Sequence, residues 1–142
     1  EELKQLINDS IYDNYNAKLL ISKFLFSEYC SKDDVVEHEL NFKKSTLEHI
    51  LPQNPDKGTN WLNYFSSSFR KEWTYKLGNF TLLTHNMNSA AKNYDFARKQ
   101  KEYEKTILHI TKELSALSSI DENYIKDRQH KIISAIYKDL GL

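Results

Sequence analysis

A mainly helical domain wrapped around a small strand–strand–helix centre is the fold this sequence predicts, and three observations point to it. Glycine and proline are scarce, three and two among 142 residues, which favours helices over a loop-rich or all-β design. Apolar residues recur at steps of three and four along the C-terminal third, the spacing of one helix face. Between the helical ends lie two short runs rich in strand formers, 46–51 and 79–84, each set off by turn residues. The length fits one domain over 1–142, long enough to bury roughly two-thirds of its unfolded surface.

Tyr12, Tyr15, Leu19, Leu20 and Phe24 fall at helical spacing and predict a helix over about 12–30, ended by Ser31-Lys32-Asp33-Asp34. Residues 35–45 carry too few apolar positions for an assignment. The run 46–51 predicts a strand that stops at Pro52, which has no N–H for a ladder. Asn-Pro-Asp and Lys-Gly make 53–60 a loop, and 61–75 reads as one or two short helices. Leu77-Gly78 is a turn into the second strand, 79–84, and a helix over 86–93 completes a centre spanning about 46–93. Tyr103, Ile107, Ile110, Leu114 and Leu117 predict one long helix from 94 to 117. Asp121 caps a last helix that carries Ile125, Ile132, Ile136 and Leu140. Both stripes are expected to be core.

Composition excludes several classes. No apolar run approaches the length of a membrane span, so no membrane partner is expected. The single cysteine, Cys30, forms no internal disulfide and rules out a cysteine-rich zinc module, which fits a reducing cytoplasm. The opening Glu-Glu-Leu, without Met, leads to the expectation that this is the C-terminal part of a larger protein. Net charge is zero but unevenly spread. Residues 1–42 carry 4 basic and 9 acidic side chains (−5), 43–101 carry 10 and 4 (+6), and 102–142 carry 6 and 7 (−1). The middle of the chain therefore has the charge expected of a local phosphate-binding surface.

That same middle holds Glu48-His49-Ile50-Leu51-Pro52-Gln53, then Leu77-Gly78-Asn79-Phe80-Thr81-Leu82-Leu83-Thr84, then Asn86-Met87-Asn88. Cutting a phosphodiester needs water deprotonated near neutral pH, and His49 suits that task. It also needs a hard cation against the phosphate and the leaving oxygen. Mg²⁺ (or Mn²⁺) keeps several waters, so one carboxylate and one amide oxygen, Glu48 and Asn88, suffice as protein ligands. Asn79 would hydrogen-bond backbone near His49 and fix the loop that aims it. Lys92, Arg98, Lys99 and Lys101 would meet the phosphates of double-stranded DNA. Each residue also has a plainer reading: His49 as a core histidine, Glu48 and the lysines as solvated charges, Asn79 as a turn residue, Asn88 as a helix cap. His85 is a rival ligand suited to zinc, although no His-Glu-x-x-His supports a zinc hydrolase.

The ordered set resembles a ββα-metal nuclease of the HNH (His-Me finger) type. The Asp-His-Ile-Val-Pro-Gln form of the motif occurs in the nuclease domain of RNA-guided CRISPR effectors, which also spaces two later Asn residues nine apart, as Asn79 and Asn88 are. The chain is more closely similar to the C-terminal domain of GmrSD-type restriction endonucleases. That family looks like His-Ile-Leu-Pro-Gln, a Trp-containing helix, Leu-Gly-Asn-Leu-Thr-Leu-Leu, an Asn-Ser pair and Phe-x-x-Lys-Lys-x-x-Tyr. Here stand Trp61, the run 77–83 with Phe80 in place of Leu, Asn88-Ser89, and Phe96 to Tyr103 with Gln100 where a second Lys often sits. The likeness runs from about Tyr15 to the last helix. It implies a mainly α domain with an embedded His-Me finger core and Mg²⁺-dependent DNA cutting in restriction or anti-phage defence. It also implies an upstream ParB-like nucleotide-hydrolysing domain as partner. The alternative is a catalytically silent module of the same fold that binds DNA or a partner subunit.

Overall fold

The computed structural model describes residues 1–29 and 43–142. The predicted break at 31–34 and most of the unassigned stretch 35–45 lie outside the described residues. Helices dominate, as the scarcity of glycine and proline requires. In chain order they are α1 (Glu2–Asn8), α2 (Asn14–Tyr29), α3 (Trp61–Tyr64), α4 (Ser67–Trp73), α5 (His85–Ala91), α6 (Phe96–Tyr103), α7 (His109–Ser115) and α8 (Glu122–Leu140). The two strands, β1 (Ser45–His49) and β2 (Phe80–Thr84), pair antiparallel, with Leu47 opposite Leu82, Glu48 opposite Thr81 and His49 opposite Phe80. A 3₁₀ turn, Leu77–Asn79, leads into β2, and α5 follows β2 directly.

The sheet divides the interior. Side chains of a strand alternate between faces, and β2 buries both of its own. Phe80 and Leu82 join one core with Ile7, Ala17, Ile21, Phe24, Ile132 and Ile136 from α1, α2 and α8. Leu83 joins the other with Trp61, Phe65, Phe69, Tyr103, Leu114 and Ile125. A strand buried on both faces explains why 79–84 reads as a nearly continuous apolar run.

Three expectations are corrected. The helix expected over 94–117 is two helices, α6 and α7. The Thr106 hydroxyl accepts from the Leu108 N–H at 3.1 Å, a local bond that competes with helix continuation, and Ile107 is left exposed. The helix expected from about 12 begins at Asn14, with Tyr12 exposed ahead of it; in α2 the inward face is Ala17, Ile21 and Phe24, while Tyr15 and Leu19 are exposed. Leu140 at the end of α8 is likewise exposed, because the last turn runs past the core. Asp121 does cap α8, accepting from the Tyr124 N–H at 2.8 Å.

Candidate active site

The end of β1 is fixed by a buried asparagine. Asn79 is fully buried, and its Oδ1 accepts the Leu51 N–H at 2.7 Å while its Nδ2 donates to the Leu51 carbonyl at 2.9 Å and the Thr74 carbonyl at 3.0 Å. Its own carbonyl accepts the Ile50 N–H at 2.9 Å. The chain just after His49 is thus held by side chain and backbone of one residue. The turn carrying Asn79 is braced in turn by α8. Arg128 Nη1 donates to the carbonyls of Gly78 at 2.9 Å and Phe80 at 2.6 Å, and Gln129 Oε1 accepts the Gly78 N–H.

Beside this end lies a polar cleft of about 240 Å³, whose lining includes Glu48, His49, Gln53, Asn88 and Lys92. The His49 ring packs edge-on against Phe80 (centroids 4.9 Å apart) and Tyr75 (5.7 Å), and its Nε2 lies 3.1 Å from Gln53 Nε2. Burial, helped by the Lys99 charge, lowers the His49 pKa from 6.5 to about 4, so the ring is neutral at physiological pH. Asn88 sits within α5, a helix capped by Thr84, not by Asn88. Its Nδ2 donates to Thr46 Oγ1 at 3.0 Å and to the Leu47 carbonyl at 2.9 Å, which ties α5 to β1. Among the described residues no hydrogen bond engages its Oδ1. Lys92 ends α5 with φ of 40°, an uncommon backbone for a residue with a Cβ, and is exposed at the cleft.

Glu48 is buried, with Oε1 accepting from Lys99 Nζ at 2.6 Å and from the Tyr103 hydroxyl at 2.8 Å. Burial pushes the carboxyl up from the usual carboxylate range and Lys99 pulls it back, while the Tyr103 hydroxyl is held well above its ordinary value by burial and by Glu48. Lys99 is the residue that departs furthest from expectation. It is fully buried, and besides Glu48 it bonds the His49 carbonyl at 2.7 Å, so it is not placed to meet DNA phosphate. Arg98, by contrast, is exposed and stacked over Tyr94 at 3.5 Å, and Lys101 is exposed one turn on. Tyr103 was legible only as a core residue. The i, i+4 spacing of Lys99 and Tyr103 puts both polar ends on one face of α6, and an acid facing inward from β1 is the signal that pairs with them.

The structure therefore brings Glu48, His49, Asn79 and Asn88 together, with Lys92 at the rim. It leaves His85 exposed at the start of α5 and outside the cleft lining. Among the described residues no three His, Cys, Asp or Glu side chains group as a metal cluster. What fits a cation is a mixed pair of oxygens, one carboxylate and one amide, the kind of sparse set a hard, water-keeping ion accepts. A larger cavity of about 510 Å³ lies between Trp61, Phe96 and Ile120. Its carboxylates serve local structure, Asp95 accepting the Asn60 N–H and Asp121 capping α8, so size does not select the site.

The fold and cleft define a helical domain that presents a carboxylate, a neutral histidine and an amide oxygen together at a sheet end. The family model for the C-terminal domain of GmrSD restriction endonucleases matches residues 1–135, and the chain belongs to that family. It is accordingly a nuclease-type domain of the restriction-endonuclease class. No curated protein matched the chain. Among the described residues no helix is long and apolar enough to cross a membrane.

Proposed function

We propose that the chain is a DNA endonuclease domain with a His-Me finger (HNH) core over about 46–93, dependent on Mg²⁺ or Mn²⁺. The observation that carries this reading is the convergence of Glu48, His49 and Asn88 on one cleft, beside the turn after His49 that Asn79 clasps. His49 is the general base. A neutral imidazole within hydrogen-bond reach of a water takes its proton as the water attacks phosphorus. With the Gln53 amide N–H donating to Nε2 the ring proton sits on Nδ1; were the Gln53 amide to turn its carbonyl to Nε2, the proton would move there and Nδ1 would be free to accept from the water. Glu48 and the free amide oxygen of Asn88 would hold the ion, which supplies charge stabilisation on the phosphate and leaving oxygen. Asn79 keeps the base aimed, and Lys92, Arg98 and Lys101 neutralise flanking phosphates of duplex DNA.

In this reading the domain works in the cytoplasm beneath an upstream ParB-like nucleotide-hydrolysing domain, and the two together restrict foreign DNA. One observation favours the rival reading of a silent, DNA- or subunit-binding module: Lys99 already neutralises the carboxylate that would bind the ion. Incubation of the chain with supercoiled plasmid separates them. Nicked or linear product that requires Mg²⁺ or Mn²⁺ and vanishes with chelator is expected. Intact plasmid at high protein concentration with either ion would establish the silent module.

A further inference from the structure

We propose that Lys99 and Tyr103 are positioning residues that make Glu48 a one-oxygen ligand, and so set which cations the cleft accepts. The inference rests on the metal site of the preceding reading. Its basis is the unequal treatment of the two carboxylate oxygens. Oε1 accepts two charge-assisted bonds, 2.6 Å from Lys99 and 2.8 Å from Tyr103, both donors fully buried on α6. Among the described residues no hydrogen bond engages Oε2, and Glu48 lines the cleft. Lys99 also bonds the His49 carbonyl at 2.7 Å, which couples the orientation of the acid to the backbone of the base.

A carboxylate pinned through one oxygen offers a cation the other. Mg²⁺ and Mn²⁺ accept single-oxygen carboxylates in near-octahedral shells, whereas Ca²⁺ takes six to eight oxygens, often with both from one carboxylate. Pinning Oε1 therefore discriminates against the larger ion. Outer partners that orient a ligand are generally worth about 10–100-fold in metal affinity.

Tyr103→Phe is the informative variant, since it removes one donor with little change of shape and no change of charge. Lys99→Met would lose a donor and a repelling charge together, with opposite effects on cation binding. Binding of Mn²⁺ and of Ca²⁺ to the chain is measured by calorimetry for wild type, Tyr103→Phe and Glu48→Gln, beside melting curves. In Tyr103→Phe, Mn²⁺ affinity is expected to fall about tenfold and the Mn²⁺ over Ca²⁺ preference to narrow. A general loosening of the fold would weaken both ions alike. If Glu48→Gln removes Mn²⁺ binding while Tyr103→Phe leaves affinity and preference unchanged, the positioning role is overturned and the metal site stands. If Glu48→Gln also changes nothing, the metal site falls and the inference with it. Should Tyr103→Phe melt below the working temperature, the wild-type chain still decides. The infrared difference spectrum on adding Mn²⁺ should show the wide carboxylate splitting of one-oxygen ligation, absent in Glu48→Gln, and the narrow splitting of two-oxygen ligation would overturn the inference.

Discussion

The His49 imidazole is half-buried between Phe80 and Tyr75, with the Lys99 ammonium bonded to its own carbonyl. Both features disfavour the imidazolium, which places the folded pKa at about 4 against 6.5 for a free ring. The linkage has a definite sign. As pH falls the unfolded chain binds this proton first, so the stabilisation from neutral His49 is complete above about 6.5, is lost between about 6.5 and 4, and does not change below that. Nitrogen-detected NMR of the metal-free chain should show His49 neutral at pH 6 and protonating near 4. A midpoint near 6.5 would mean the ring is not shielded as described. At this scale the chemical types were legible in sequence: acid, histidine and two amides, in order. The second oxygen of Glu48 and the burial of Lys99 were not. A lysine at 99 reads as a solvated helix charge until the strand carrying Glu48 is packed against α6.

Gly78 shows how elements hold the site. The 3₁₀ turn of Leu77–Asn79 packs so closely on α8 that a Cβ at 78 would collide with the Ile125 carbonyl oxygen and press on Gln129 backbone and Cβ, each 3.0 Å away. The neighbours are mostly backbone and give little. Gly78→Ala should therefore destabilise the chain by about 1–3 kcal/mol and loosen the Asn79 clasp on Leu51. A urea denaturation midpoint equal to wild type would contradict that contact. Sequence gave this glycine only as a turn before a strand, because nothing local reveals that a helix fifty residues on lies against it. The same limit produced the single helix expected over 94–117. Its stripe of Tyr103, Ile110 and Leu114 is real, and all three are buried. The break at 104–108 lets α7 swing onto the sheet, where Thr111 donates to the Leu82 carbonyl at 2.6 Å and meets the Thr81 hydroxyl at 2.6 Å. Periodicity reports which face is buried, not whether the axis bends between two turns of that face.

Across the whole molecule the charge pattern survives the structure. Lys99 and Glu48 leave the surface count of residues 43–101 together, so nine basic and three acidic side chains remain and the excess stays +6. Lys92, Arg98 and Lys101 are exposed within it. Affinity of this kind comes from neutralised phosphates and falls with salt. The chain should bind duplex DNA on the order of 10⁻⁴–10⁻⁶ M at physiological salt with little sequence preference. Nanomolar, sequence-selective binding in a titration would contradict this and place target recognition in this domain.

The claim on which the rest depends is that His49 takes the proton from the attacking water. His49→Ala removes the base and leaves the Asn79 clasp in place; it uncovers Phe80 and Tyr75 at the edge of one core, so circular dichroism should stay near wild type with at most a modest fall in melting temperature. Cleavage of supercoiled plasmid by excess chain with Mg²⁺, followed as a single-turnover rate, is the direct measurement. The folded variant is expected to cut about 10²–10⁴-fold more slowly. A folded His49→Ala chain that cuts at the wild-type rate would contradict that claim.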